Sequence, residues 1–324
     1  MAKLQLTLAC GDYDLTRGLL DGSTPPQGID LIPLTMPSPE RHWRMTRGLE
    51  FDVCEFSLAS YLAAREAGLP FTAIPVFPHR RFRHSYLFVN RQAGIAHPRD
   101  LIGKRVGLRT WQTTAGVWMR GILQSEYGVP LEQVHWFTQS EEDVPLTLPP
   151  GLRVERLPAE ANLDALLVEG ELDAALYPEI LPSIVRGDSR VGRLFPDPKA
   201  EEQAYYRKTG IFPIMHTVVI RDTVLQAHPW VAVTLLQAFQ QAKERAYRQL
   251  QNPRTVALAW VRECLEEQRA VLGPDPWVYG FAPNRHPLAT FCEYAYQQGL
   301  TRRRFTPEEL FVPSTLHEIP KYVE

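Results

Sequence analysis

Five of the six residues from His79 to His84, in the run Pro78-His79-Arg80-Arg81-Phe82-Arg83-His84-Ser85, carry a basic or titratable side chain. Guanidinium groups bind carboxylates in two-point fashion and imidazoles exchange protons near neutral pH, so the run suits the recognition and protonation of an organic anion. A solvated basic face is an equally good account of the run alone. In an extended segment Arg81, Arg83 and Ser85 share one face and Arg80, Phe82 and His84 the other, which directs only part of the run toward a ligand.

Two strand-to-helix junctions point the same way. In Val106-Gly107-Leu108-Arg109-Thr110-Trp111-Gln112-Thr113-Thr114, either Thr113 or Thr114 is the expected N-cap. Free backbone N–H groups and the positive end of a helix dipole then lie at the carboxyl end of a strand, where a carboxylate is welcome, although plain capping explains the same residues. In Asp52-Val53-Cys54-Glu55-Phe56-Ser57, Ser57 opens a second helix and Glu55 precedes it among apolar neighbours. Glu55 has two readings: a desolvated carboxyl whose raised pKa suits proton transfer, or a salt-bridged carboxylate partnered by one of the arginines. His216, in Phe212-Pro213-Ile214-Met215-His216-Thr217, is either a hydrogen-bonded core residue or a further proton carrier. Tyr177, Trp111 and Trp118 belong to an aromatic wall around a flat ligand or to the core.

Some chemistries are excluded. There is no GxxxxGK[ST], GxGxxG, HExxH or GxSxG motif. The nine histidines are scattered without ligand spacing, so no metal site is supported, although folding could bring His79, His84 and Glu55 together. A net charge of −2 supplies no field to draw in nucleic acid. Cys10, Cys54, Cys264 and Cys292 form no CxxC pair and read as reduced packing residues. No stretch is apolar enough to cross a bilayer, and the chain opens directly on the alternating Leu4-Gln5-Leu6-Thr7-Leu8-Ala9, without a secretory leader, which predicts a cytoplasmic protein.

The elements that must position these residues alternate along the chain. Strands are predicted at 4–9, 29–34, 51–56, 72–76, 87–90, 105–108, 134–137, 173–176 and 217–220, and the clearest helices at 57–66, 114–126, 163–169 and 229–251. Such alternation predicts parallel sheets flanked by helices, with ligands beyond the carboxyl ends of the strands. Two crossings, near 86–92 and 209–217, predict a discontinuous first lobe, residues 1–88 plus 217–324, and a continuous second lobe, residues 89–216, with a carboxylated anion in the cleft between them. The sequence leaves the oligomeric state open.

The chain resembles the 4,5-dihydroxyphthalate decarboxylase family. The resemblance rests on Phe77-Pro78, Arg80 and Phe82-Arg83-His84-Ser85, on Gln112, Thr114 and Trp118-Met119-Arg120-Gly121-Ile122-Leu123, and on Gly210-Ile211-Phe212-Pro213 with His216-Thr217-Val218-Val219. Gly11-Asp12-Tyr13-Asp14, Thr16-Arg17, Phe51-Asp52-Val53 and Asp275-Pro276-Trp277 extend it over nearly the whole length. The chain departs from the family pattern at His79, where serine is usual, and at Arg109-Thr110-Trp111. The resemblance implies a type 2 periplasmic-binding-protein-like α/β fold of two lobes with mixed sheets. It implies non-oxidative decarboxylation of a hydroxylated aromatic diacid without a cofactor, with a solute-binding or sensor protein as the alternative. In that reading Arg80 or Arg83, with Arg17 and the Thr113-Thr114 helix start, hold the carboxylates. Gln112 and Ser57 orient ring hydroxyls, Tyr177 lines the pocket, and Glu55, His84 and His216 handle protons.

Overall fold

The structure, a computed structural model, describes residues 2–318. The chain begins with β1 (Leu4–Cys10), α1 (Asp14–Leu20), β2 (Ile29–Thr35), α2 (Ser38–Gly48), β3 (Val53–Ser57), α3 (Leu58–Glu66) and β4 (Phe71–Ile74). It continues through β5 (Leu87–Asn90), β6 (Arg105–Leu108), α4 (Thr114–Tyr127), β7 (His135–Thr138), β8 (Arg153–Arg156) and α5 (Leu163–Glu169). There follow β9 (Ala174–Leu176), α6 (Pro182–Val185), β10 (Val191–Arg193), α7 (Pro198–Thr209), β11 (His216–Arg221), α8 (Asp222–Ala227), α9 (Val231–Leu250), α10 (Val261–Leu272) and α11 (Arg285–Gln297).

These elements form two compact units. The first runs from the start of the chain to Arg80, from Ile214 to Thr290 and from Phe305 onward; the second takes Arg81 to Pro213 and Phe291 to Arg304. The boundaries between the units thus fall between Arg80 and Arg81 and between Pro213 and Ile214, ahead of the expected 88/89 and 216/217, the first of them outside the expected 86–92 window. The second unit also includes a piece of the C-terminal third, because Trp118 packs against Phe291 at 5.1 Å and Tyr294 at 5.8 Å between ring centroids.

The sheet of the first unit has the order β2-β1-β3-β11-β4. β1 is parallel to β2 and β3, whereas β11 runs antiparallel to β3 and β4. The sheet of the second unit has the order β10-β5-β9-β6-β7-β8, parallel from β9 to β8 and antiparallel at β5 and β10. Both sheets are therefore mixed, and the strands that follow the two crossings, β5 and β11, are the ones that run against their neighbours. β8 and β10 have no counterpart in the sequence expectation. They are short edge strands, and the largely exposed Arg153-Val154-Glu155-Arg156 has no apolar face to signal a strand.

Each unit has its own core. In the first, α9 lies on α1 and buries Val231, Leu235, Phe239, Ala242 and Ala246, the three-to-four spacing of an amphipathic helix. In the second, Phe88, Leu163, Leu167, Leu172, Ala175 and Leu181 form one apolar cluster. β3 is buried at all five positions, Val53-Cys54-Glu55-Phe56-Ser57, so an acidic residue lies in the middle of a core strand. No helix among the described residues is long and apolar enough to cross a membrane.

Candidate active site

Glu55 is the organising residue of the first unit. β1 and β3 are parallel with Ala9 opposite Cys54, so the end of β1 and the Glu55 side chain meet at the carboxyl edge of the sheet, the usual place for a ligand in such folds. The Glu55 side chain is 0% exposed and both of its oxygens are engaged. Oε2 accepts the Gly11 N–H at 2.8 Å and pairs with the Arg41 guanidinium at 2.8 Å. Oε1 accepts the Tyr13 hydroxyl at 2.9 Å and lies 2.5 Å from His216 Nδ1.

Local sequence explains why these groups converge. Gly11 opens the connection from β1 to α1, and a Cβ there would sit 2.5 Å from the Tyr13 ring, so only glycine lets the ring close over the carboxylate. Arg41 projects from the buried side of α2, where its Nε donates to the Glu55 carbonyl at 2.8 Å and its Nη1 to the Met36 carbonyl at 2.8 Å. His216 opens β11, directly opposite Ser57 in the antiparallel register with β3, so its ring shares a sheet face with Glu55.

The electrostatics follow. Burial opposes a charge on Glu55, but Arg41 and then His216 outweigh it and hold the carboxyl well below the usual carboxylate range. Of the two sequence readings, the salt-bridged carboxylate is the one the structure shows. Its partner is Arg41, outside the basic run, and the raised pKa expected from an apolar setting is overturned by that guanidinium. Glu55 is thus an acceptor only, which requires the His216 Nδ1 to carry its proton and leaves Nε2 for other chemistry. Burial and the neighbouring charge of Glu55 push the Tyr13 hydroxyl upward, so it remains a phenol.

Two more imidazoles flank His216. His42 meets it edge-on at 5.1 Å and packs on Phe56 at 5.0 Å; His79 meets it edge-on at 4.8 Å and lies 5.9 Å from the Tyr13 ring. His42 is buried, whereas His79 and Tyr13 are partly exposed. Among the described residues no group of three His, Cys, Asp or Glu side chains could hold a metal ion.

The other sequence candidates of the first unit have structural partners. Arg17 is exposed and paired with Asp12 at 3.0 Å. Ser57 caps α3 by accepting the Ser60 N–H at 3.3 Å. Arg80 is buried over the Phe77 ring and donates to Asn284 Oδ1 and, at 2.9 Å, to the Val278 carbonyl.

The remaining candidates belong to the second unit. Arg83 donates to the Pro178 carbonyl at 2.9 Å and lies over the Tyr86 ring, and burial pushes its guanidinium down to about 9. His84 sits among Tyr127, Phe195 and Tyr205, with no hydrogen-bond partner for either ring nitrogen among the described residues, and burial pushes it down to about 4. The alternation expected of an extended basic run does not hold, because the run passes from a loop into a 3-10 turn at His84–Tyr86, and Arg80, Arg83 and His84 are all buried. Gln112 is clamped to Val144, its amide donating to the Val144 carbonyl at 2.7 Å and accepting the Val144 N–H at 3.0 Å. Thr113 precedes α4 with its hydroxyl on Thr110 at 2.6 Å and no side-chain cap, and Thr114 is the buried first residue of that helix. Tyr177 donates to Gln139 at 3.3 Å.

Folding therefore unites Glu55 and His216 and adds Tyr13, Arg41, His42 and His79. Tyr13 stands inside Gly11-Asp12-Tyr13-Asp14, one of the segments carrying the family resemblance, and His79 in the basic run; those were the signals available. Arg41 and His42 had none. The buried residues of α2 are Arg41, His42 and Met45, two of them polar, so hydrophobic periodicity reads its inner face as surface.

No protein-family model matches the chain. The chain is 38% identical over 325 residues to the 4,5-dihydroxyphthalate decarboxylase of Comamonas testosteroni, covering 98% of each sequence. It is 36% identical over 214 residues to the enzyme of the same name from Pseudomonas putida, covering 64% of this chain and 83% of that one. Among solved structures it is similar to the periplasmic aliphatic sulphonate binding protein SsuA from Escherichia coli. That match has a TM-score of 0.57 at 14% identity and covers 98% of this chain and 100% of that one, which establishes a periplasmic-binding-protein-like fold. On the strength of the full-length relative, the chain belongs to the 4,5-dihydroxyphthalate decarboxylase family.

Proposed function

We propose that this protein removes one carboxyl group from 4,5-dihydroxyphthalate without oxidation, giving protocatechuate and CO2, a step of phthalate degradation. The observation that carries the proposal is the convergence of a phenol, Tyr13, and an imidazole, His216, on one oxygen of a buried carboxylate that Arg41 keeps ionised. Two full-name relatives support the choice of substrate.

Each carboxyl group of the substrate is para to a hydroxyl, so electron density pushed from that oxygen accumulates at the ring carbon bearing the carboxylate. Protonated His216 delivers its Nε2 proton to that carbon. The ring carbon–carboxyl bond then breaks, CO2 leaves, and the bonding pair restores the aromatic ring. Glu55 accepts from Nδ1–H throughout and stabilises the imidazolium before transfer, much as a buried carboxylate orients a catalytic histidine elsewhere. Tyr13, its proton committed to Glu55, offers its oxygen as an acceptor for a substrate hydroxyl. The reading places the enzyme in the cytoplasm, where thiols such as the buried Cys10, Cys54 and Cys292, none of them in a disulfide, remain reduced.

The test incubates purified protein with 4,5-dihydroxyphthalate and follows CO2 and protocatechuate. His216→Gln should lower kcat by about 10²- to 10⁴-fold, the range for loss of a general acid. Binding without turnover across hydroxylated phthalates and benzoates would replace the enzyme with a solute-binding or sensor protein. Undiminished turnover by His216→Gln would remove His216 from the mechanism.

A further inference from the structure

Of the groups packed around His216, Glu55 and His42 are buried and Tyr13 and His79 are partly exposed. Tyr13 and His79 are therefore the two of these neighbours that a substrate can touch. The placement of His79 is fixed by main chain: its carbonyl accepts the Met215 N–H at 2.9 Å and the His216 N–H at 3.2 Å, and the next residue, Arg80, bridges Ile214 in antiparallel fashion. Arg80 is anchored in turn to Asn284 and the Val278 carbonyl. His79 and His216 are thus presented as a pair with ring centroids 4.8 Å apart, His79 the more exposed of the two.

Building on the decarboxylase reading above, we propose that His79 selects substrates with two adjacent carboxylates by donating a ring N–H to the carboxylate that the reaction leaves in place. A charge-assisted N–H···O bond is about 2.7–2.9 Å long, so two vicinal carboxyl groups can each lie within reach of one imidazole of this pair. Loss of CO2 occurs at the carboxyl beside His216; the other stays beside His79. The product retains one carboxylate and no longer spans both rings, which favours its release and protects it from a second decarboxylation. His79 is on this account a specificity residue, and the proton chemistry remains with His216.

The experiment measures calorimetric affinity for phthalate and for benzoate, neither of which carries the hydroxyl groups, together with kcat and KM for 4,5-dihydroxyphthalate. The wild type should prefer phthalate. His79→Phe and His79→Ala, which lack a donor, should lose about ten- to hundredfold in phthalate affinity, as expected for a lost hydrogen bond to a charged group, with benzoate affinity unchanged. They should raise KM while leaving kcat within a few-fold. His79→Asn and His79→Ser, which keep a donor, should retain more of the phthalate preference than His79→Phe. An unaltered ratio of phthalate to benzoate affinity in whichever donorless variant folds would overturn the inference, as would a fall in kcat at unchanged KM. The His216→Gln variant keeps the two readings apart: if it turns over normally the decarboxylation mechanism fails whatever His79 does, and if it is inactive yet still prefers phthalate, the role of His79 is judged separately.

Discussion

Replacement of Glu55 by Gln keeps the shape of the side chain and removes its charge. Arg41, 1% exposed, would keep the residue 55 and Met36 carbonyls as partners but lose the carboxylate paired with it at 2.8 Å. Removing one member of a buried ion pair typically costs about 3–5 kcal/mol, most of it the uncompensated charge. The Gln variant should therefore unfold at a lower urea concentration, by an amount that linear extrapolation converts to about 3–5 kcal/mol at neutral pH. Because the folded-state pKa of Glu55 lies well below the value of 4.5 for a free carboxyl, its stabilisation is fully present above pH 4.5 and disappears as pH falls through the folded value. Glu55→Gln should lack that acid-side loss. Arg41→Met with Glu55→Gln removes both charges and should regain most of the stability without regaining turnover, since His216 still lacks its carboxylate. The reasoning is refuted if Glu55→Gln is within about 1 kcal/mol of wild type, or if the double variant is no more stable than the single one.

Other outcomes follow from the same structure. His84 is pushed down to about 4 from 6.5, so the folded state binds fewer protons than the unfolded one between these values and stability falls as pH drops from 6.5 to 4. At ~1.4 kcal/mol per pH unit the loss is about 3 kcal/mol, and His84→Phe should flatten it in acid-unfolding curves. Lys243, 0% exposed and 2.5 Å from Asp275, should on replacement by Ala destabilise the first unit by about 3–5 kcal/mol in urea melts. A Cβ on Gly121 would run into the Tyr294 ring, so Gly121→Ala should lower stability by about 1–3 kcal/mol, less if Tyr294 is also made smaller.

The sequence by itself determined most of the framework. Alternating apolar runs announced β1, β2, β3, β5, β6, β7, β9 and β11, and the three-to-four stripe announced α9, because burial of one face leaves a period that can be read without coordinates. It also singled out Glu55 and His216, as polar residues in apolar segments. What it left undecided was which charge accompanies Glu55. That depended on α2, whose inner face is arginine and histidine and so shows no apolar period, and on the return of β11 beside β3, a pairing across 161 residues between Glu55 and His216. The basic run was open for a related reason: Arg80 and Arg83 lie over the rings of their near neighbours Phe77 and Tyr86, but the carbonyls they donate to, of Val278 and Pro178, are distant in the chain. Local sequence fixes periodicity and caps, while the pKa of a buried carboxylate is set by whichever charges the tertiary fold places within a few ångströms of it.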